Sequence, residues 1–290
     1  MSGICSSSFK NRQPEQGPAT DSESFAPSSS VADAGGLAMA SSGDGFSDAL
    51  AERYDQLAQD PRYCIFTGSV LHYLGLEEGV VGKRVLDVGC GNGDLAADMR
   101  RQGASEVVGV DISPAQIALA RQRHGGLGTT FRVEDAYQPL ALPEAPFDTL
   151  VSVFAFHFIQ DPEQLARACR NLFEALKPGG LLVWLDITHD YVFDPERMAR
   201  LEALTSYRYD PGVAPGQRPA PWSRVAGQVR SGSAWLPVDH VAIPGRTVVE
   251  TLQRVGFSQV RREPLRFPDA ESAWLWGPEG FNHHLLVARR

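Results

Sequence analysis

Cysteine is scarce in this chain. Four occur among 290 residues (Cys5, Cys64, Cys90 and Cys169), and none forms a C-x-x-C pair. That scatter supports neither a disulfide framework nor a zinc site, and it fits a reducing compartment. Long apolar runs are also missing. None reaches the roughly 18 residues that a bilayer span needs, so no membrane association is expected. The first residues carry no apolar leader, and position 2 is serine rather than the glycine of a myristoylation signal. Acidic residues at Glu15, Asp21, Glu23, Asp33 and Asp44 argue against a transit peptide, so a cytoplasmic location is expected. Excess positive charge is lacking too. Lys and Arg number 27 against 35 Asp and Glu, a net charge of −8, which is poor equipment for gripping a phosphate backbone. No internal repeat is visible.

What remains is a chain of 43% hydrophobic content, enough for one sizeable core. Residues 1–45 are rich in Ser, Gly, Ala and Pro, and a disordered tail is expected there. One domain should then occupy residues 46–290. Phe46, Leu50, Tyr54 and Leu57 recur at helical spacing, as do Ile65, Phe66, Val70, Leu71 and Leu74, the second helix closing at Gly75. Together they form a helical cap over residues 46–80.

From Arg84 short apolar runs alternate with helical segments. Strands are expected at Val85–Val88, Glu106–Val110, Thr129–Val133, Phe147–Phe154 and Leu181–Ile187. Helices are expected at Asp94–Arg101, Pro114–Arg123 and Pro162–Leu176, the last broken by Lys177-Pro-Gly-Gly180. Such alternation builds a doubly wound, mostly parallel α/β sheet with helices on both faces. Residues 189–245 interrupt the rhythm with seven prolines and the aromatics Tyr191, Phe193, Tyr207, Tyr209, Trp222 and Trp235. A connection of that length reads as an inserted lid over a substrate. A helix at Thr247–Val255 and strands at Phe257–Arg262 and His284–Ala288 complete the pattern.

The stretch Arg84-Val-Leu-Asp-Val-Gly-Cys-Gly-Asn-Gly-Asp-Leu-Ala96 carries the chemistry. A buried strand leads through Gly89, Gly91 and Gly93 into a helix, which lets backbone approach a ligand and aims helix N–H groups at it. A dinucleotide fingerprint, G-x-G-x-x-G, would need its third glycine at Asp94. Asp87, inside the strand, would repel a pyrophosphate and suits a cationic ligand. S-adenosylmethionine (AdoMet) has an ammonium, a sulfonium and no phosphate. Asp111, ending the next strand, can accept both ribose hydroxyls. After the third strand, Asp135 can accept from an adenine amino group, and the Ala136 N–H can meet a ring nitrogen.

At this point the sequence resembles the class I AdoMet-dependent methyltransferases. The resemblance rests on VLDVGCGNGDLA, VVGVDIS, VEDA, FDTLVSVFAFHFIQD and LKPGGLLVW, in order between about residues 84 and 187. It implies a seven-stranded sheet of order 3-2-1-4-5-7-6 with strand 7 antiparallel, and methyl transfer from AdoMet. It also implies a cofactor site of Asp87, Gly89, Cys90, Gly91, Asp111, Ile112, Asp135 and Ala136, with Val153 or Phe154 offering a carbonyl near the cofactor ammonium. Tyr54, on the upstream helix, would close over the cofactor. The start at Tyr54, the region of Trp235, Glu263-Pro-Leu265 and Gly277-Pro-Glu-Gly280 further resemble toxoflavin-synthase-like small-molecule methyltransferases.

His157 and His189 follow the fourth and fifth strands, at the carboxyl edge where ligands sit. With ordinary pKa values near 6.5, either suits removal of an acceptor proton; His240 in the insertion is a third candidate. Asp186-x-x-His189 has spacing for a metal, but the resemblance implies chemistry without one. No Asn/Asp-Pro-Pro-Tyr/Phe follows the fourth strand, and no Pro-Cys pair occurs. Both absences weigh against methylation of nucleic-acid bases. The expected acceptor is a small secondary metabolite with a nitrogen, oxygen or carbon nucleophile, and the expected assembly is a monomer or homodimer. The alternatives are a protein or RNA methyltransferase, a catalytically silent AdoMet-binding protein, and, against the glycine register, an NAD-dependent oxidoreductase.

Overall fold

A computed structural model describes residues 53, 55–56, 64–126, 128–205, 207–231, 233–267, 269–276 and 283–290. The expected tail, Tyr54, most of the first helix of the cap and the Gly277–Gly280 motif lie outside the described residues. Helix α1 (Cys64–Leu76) precedes strand β1 (Arg84–Val88). Then come α2 (Asp94–Arg101), β2 (Glu106–Asp111), α3 (Pro114–His124), β3 (Thr129–Val133), β4 (Phe147–Val153), α4 (Pro162–Ala175) and β5 (Leu176–Ile187). After an insertion, α6 (Gly245–Val255), β10 (Ser258–Glu263), α7 (Ala270–Trp276) and β11 (His283–Arg289) follow.

Seven strands form one sheet in the order β10-β11-β5-β4-β1-β2-β3. In chain order of the sheet's own strands this is 3-2-1-4-5-7-6, and β11 runs antiparallel to both its neighbours. The expected topology is therefore the observed one. Period-two alternation sorts the side chains. Val85, Val107, Val151, Val183 and Leu185 face α1, α2 and α3, while Leu86, Val88, Val108, Leu150, Leu182 and Trp184 face α4 and α6. The helices start where local chemistry permits. Ser113 and Asp161 accept the Gln116 and Gln164 N–H groups, and Pro114 and Pro162 stand in the first turns.

Two expectations need correction. Lys177–Gly180 does not separate a helix from a strand. β5 already begins at Leu176, which pairs with Phe147, and the register shifts before Thr149 pairs with Leu181. The glycines make a bulge inside the strand, with Gly179 at φ 75° and bonded to the Arg290 carbonyl at 2.9 Å. The insertion is also more regular than its prolines suggest. It holds α5 (Pro195–Thr205) and an antiparallel sheet of β6 (Tyr207–Asp210), β7 (Arg224–Ser231) and β8 (Ala234–Pro237), with β9 (His240–Val241) also paired to β7. It leaves and rejoins the main sheet at one place. The His189 N–H donates to the Ile243 carbonyl at 3.1 Å. The Ile243 N–H returns to His189 Nδ1 at 3.2 Å, and the Gly245 N–H reaches Asp190 at 3.1 Å. Among the described residues no helix is long and apolar enough to cross a membrane.

Candidate active site

The carboxyl ends of β1, β2, β3, β4 and β5 converge on one edge of the sheet, and the sequence-derived residues gather there. Asp87 pairs in register with Gly109 and Val151 in the middle of that layer. It is 1% exposed, and its Oδ2 has no hydrogen-bond partner among the described residues. Burial, with the Asp111 carboxylate adding to it, pushes its pKa up to about 7. An unpaired buried carboxyl oxygen costs free energy unless something completes it.

The glycine loop wraps this carboxyl. The Gly89 and Cys90 N–H groups both donate to the Val110 carbonyl, at 2.8 and 3.0 Å. Gly89 has φ 73°, and a β-carbon there would lie 2.3 Å from Cβ of Ala155 in the loop after β4. Asp111 ends β2 and accepts the Gly91 N–H on Oδ2 and the Ser113 N–H on Oδ1, each at 2.9 Å. Burial pushes its carboxyl up, against the pull of those two bonds. A carboxylate has about four acceptor sites, so lone pairs remain for hydroxyl groups. Cys90 is buried beneath the loop, and Ile112 lies half-buried beside Asp111.

Beyond β3, Asp135 Oδ1 accepts the Tyr137 N–H at 2.9 Å, which turns the chain at Ala136. Asn171 of α4 clamps this turn by donating to the Ala136 and Gln138 carbonyls at 2.9 and 2.8 Å. Asn171 was not legible as a site residue, because its role depends on a partner more than thirty positions away. After β4, Val153 gives way to Phe154 in the left-handed region at φ 55°. The Phe154 ring meets Phe66 and His283 at 5.0 and 5.4 Å.

The upstream cap touches the same loop. Asp55 accepts from Asn92 Nδ2 at 2.8 Å and from Arg123 at 2.9 Å, while Arg53 donates to the Thr205 carbonyl of α5 at 3.2 Å. The described part of the cap thus joins the glycine loop to the insertion.

His157 is 5% exposed, with Nδ1 3.2 Å from Asp186 Oδ1. Asp186 also accepts the Phe156 and Ile187 N–H groups, both at 2.8 Å, and Trp184 Nε1 at 3.3 Å. Burial alone would raise the Asp186 carboxyl. The hydrogen bond from His157 and the nearby imidazoles outweigh it, so the carboxyl lies below its ordinary value. Asp186 is therefore an ionised orienter of His157, a role its sequence spacing did not reveal. His189 is 4% exposed, and its Nδ1 already accepts the Ile243 N–H. Burial, helped by His157, pushes its pKa down to about 4. His240 comes from β9, its ring centroid 5.2 Å from that of His157 and 6.1 Å from that of His189. Among the described residues no group of three or more His, Cys, Asp or Glu side chains is arranged to hold a metal ion.

The family model described as a methyltransferase domain matches residues 85–180. A ubiquinone biosynthesis O-methyltransferase of Xylella fastidiosa (strain 9a5c) is 34% identical over 166 residues, covering 54% of this chain and 65% of that protein. One of Pseudomonas aeruginosa (strain LESB58) is 31% identical over 165 residues, covering 54% and 69%. The chain thus spans less than two thirds of the Xylella relative's length. Among solved structures, magnesium protoporphyrin IX methyltransferase of Synechocystis PCC 6803 with bound SAH superposes at a TM-score of 0.57. It is 18% identical and covers 85% of this chain and 97% of its own. An S-adenosylmethionine-dependent methyltransferase of Mesorhizobium loti gives 0.52 at 24% identity, covering 77% and 100%. At such identities the likeness to solved structures is one of fold.

Proposed function

Because the chain belongs to the class I AdoMet-dependent methyltransferases, we propose that it methylates a nucleophile on a small molecule. The observation that carries this reading is the orphaned, buried Asp87 Oδ2 beneath a glycine loop. The residues fit AdoMet. Asp87 would meet its ammonium, directly or through water, and the Asp111 carboxylate would take the ribose hydroxyls. Asp135 and the Ala136 N–H would read the adenine edge. Gly91 has only Gln116 Oε1 near a notional β-carbon, at 3.7 Å, which leaves its backbone open to a ligand. When bound, AdoMet would supply an electrophilic methyl carbon with a neutral thioether as the leaving group.

The chain's own groups then align, desolvate and deprotonate. Proton removal falls to His157 rather than His189. The Asp186 carboxylate fixes the Nδ1–H tautomer of His157 and leaves Nε2 as the base. His189 has its Nδ1 committed to a backbone N–H, and burial holds it neutral with little basicity. An oriented base favours an acceptor that must lose a proton as it attacks, which describes a hydroxyl better than an amine. The curated relatives named as O-methyltransferases of ubiquinone biosynthesis support a small acceptor.

Calorimetric titration of the full chain tests the cofactor assignment. AdoMet should bind and NAD should not. In the free protein the raised pKa keeps Asp87 largely protonated below about 7. An ammonium needs the carboxylate, so affinity should rise with pH up to about 7 and level off above it. The expected gain from pH 6 to pH 8 is about tenfold. In Asp87→Asn that gain should vanish and affinity should be lower at both pH values. NAD binding in place of AdoMet overturns the assignment.

A further inference from the structure

His240 is fully enclosed, yet only one of its two ring nitrogens is satisfied. It is 2% exposed, and its Nδ1 lies 3.3 Å from the His157 carbonyl oxygen. A carbonyl can only accept, so Nδ1 carries the proton and Nε2 presents a lone pair. That Nε2 has no hydrogen-bond partner among the described residues. The ring is held on several sides, so the orphaned atom is not a matter of loose packing. Phe158 stacks on it at 5.6 Å with 19° between planes, and Tyr209 of β6 lies at 5.3 Å. β9 itself is anchored by Asp239, which accepts from Arg224 Nε at 3.0 Å and from the Gly227 N–H at 2.9 Å.

His157 donates Nδ1–H to Asp186 and keeps a lone pair on Nε2. His189 accepts at Nδ1 and carries its proton on Nε2. Two imidazoles with centroids 5.2 Å apart therefore each offer an acceptor nitrogen, amid the rings of Phe154, Phe158 and Tyr209. One hydroxyl satisfies one lone pair. With the two rings only 5.2 Å apart, a flat molecule whose hydroxyl meets His157 lies within reach of His240 as well, and a second donor on it would fill the orphaned nitrogen.

Resting on the methyltransferase reading above, we propose that His240 recognises the acceptor, and that the acceptor is a planar ring bearing a second O–H or N–H donor beside the hydroxyl that is methylated. His157 Nε2 takes the proton of the attacking hydroxyl. His240 Nε2 accepts a hydrogen bond from the neighbouring donor and takes no proton. The second donor both fills the orphaned acceptor and fixes which oxygen faces the methyl group. Because both imidazoles are enclosed, the ring enters as the insertion carrying β9 parts from the loop after β4. A ring without the second donor leaves a buried lone pair unmet and is selected against.

The test uses the full chain, methyl-labelled AdoMet and three probes: catechol, phenol and 2-methoxyphenol. Wild type should show kcat/KM for catechol at least about tenfold above either single-donor probe, the size of one hydrogen bond to a buried acceptor. His240→Phe keeps a flat ring but no acceptor, and the ratio should collapse to within about twofold. His240→Gln restores a carbonyl acceptor and should recover much of the preference. AdoMet affinity, measured alongside, reports that each variant is folded. Should His240→Phe fail to bind AdoMet, the wild-type preference and its recovery in His240→Gln decide the matter. Equal use of all three probes, a preference that survives in His240→Phe, or no turnover of any probe while AdoMet binds overturns the proposal. Failure of wild type to bind AdoMet at all would instead defeat the methyltransferase reading on which it rests.

Discussion

Gly89→Ala should cost at least about a hundredfold in AdoMet affinity, the equivalent of about 2.7 kcal/mol. Two penalties combine. At φ 73° a residue with a β-carbon pays roughly 1–2 kcal/mol for the left-handed conformation. The new β-carbon would also lie 2.3 Å from Cβ and 3.3 Å from Cα of Ala155. The second neighbour is backbone, so no side-chain rotation relieves the contact. Either the glycine loop lifts or the segment after β4 retreats. Both carry residues proposed to meet the cofactor, because Asp87 lies two residues before Gly89 and Phe154 one before Ala155. Gly91→Ala is the internal control. At φ 51°, with its nearest non-neighbouring atom 3.7 Å away, it pays the conformational penalty but meets no protein wall. Its unfolding temperature should fall less than that of Gly89→Ala. Calorimetric titration beside thermal unfolding reads both, and a Gly89→Ala protein that binds AdoMet as wild type would show that the two loops do not form the cradle.

His157→Ala should lower kcat by about 10²–10⁴, the usual worth of a positioned base, while AdoMet affinity stays within about threefold. Asp186→Asn should act through His157. The amide replaces one acceptor oxygen by an NH2 group, yet all four partners of Asp186 are donors. Each oxygen takes two of those donors, so two are then opposed, and His157 loses the carboxylate that favours its Nδ1–H tautomer. The expected loss in kcat is about a hundredfold or more, with AdoMet affinity within about threefold of wild type. A purely structural role for Asp186 would lower stability and AdoMet affinity and spare kcat. His189→Ala should lower the unfolding temperature and cost turnover far less, because its Nδ1 is spent on the Ile243 N–H. Equal kcat losses at His157 and His189 would remove the assignment of the base to His157.

The parts of this molecule that could be read from the chain are those in which local sequence decides local structure. β1, β2 and β4 are mainly apolar runs and β3 alternates Phe131 and Val133 with polar residues, all between turn signals, and their limits came out within a residue of those expected. The order of the loops with Asp87, Asp111 and Asp135 followed, since each carboxylate sits where a strand ends or nearly ends. The insertion resisted the same reading. Its strands are two to eight residues long, separated by prolines, and held by pairing across the insertion rather than by their own periodicity. Lys177–Gly180 looked like a break because Pro and Gly normally end an element. Here they bulge a strand whose pairing resumes at Leu181. The site showed the same division. Asp186 is an unremarkable residue in a buried strand until β4 brings His157 beside it, 29 positions away. His240 needed the insertion to fold back on that loop before it became a neighbour of His157.

The central claim is that this fold moves a methyl group onto a hydroxylated small molecule. It is tested most directly by incubating the full chain with methyl-tritiated AdoMet, catechol, and a mixture of protein and RNA, then separating products by size. Label in a low-mass methyl ether, matched one for one by demethylated cofactor and lost in His157→Ala, is the predicted result. Label in the protein or RNA fraction, or label that stays in AdoMet while the chain binds it, would contradict the account.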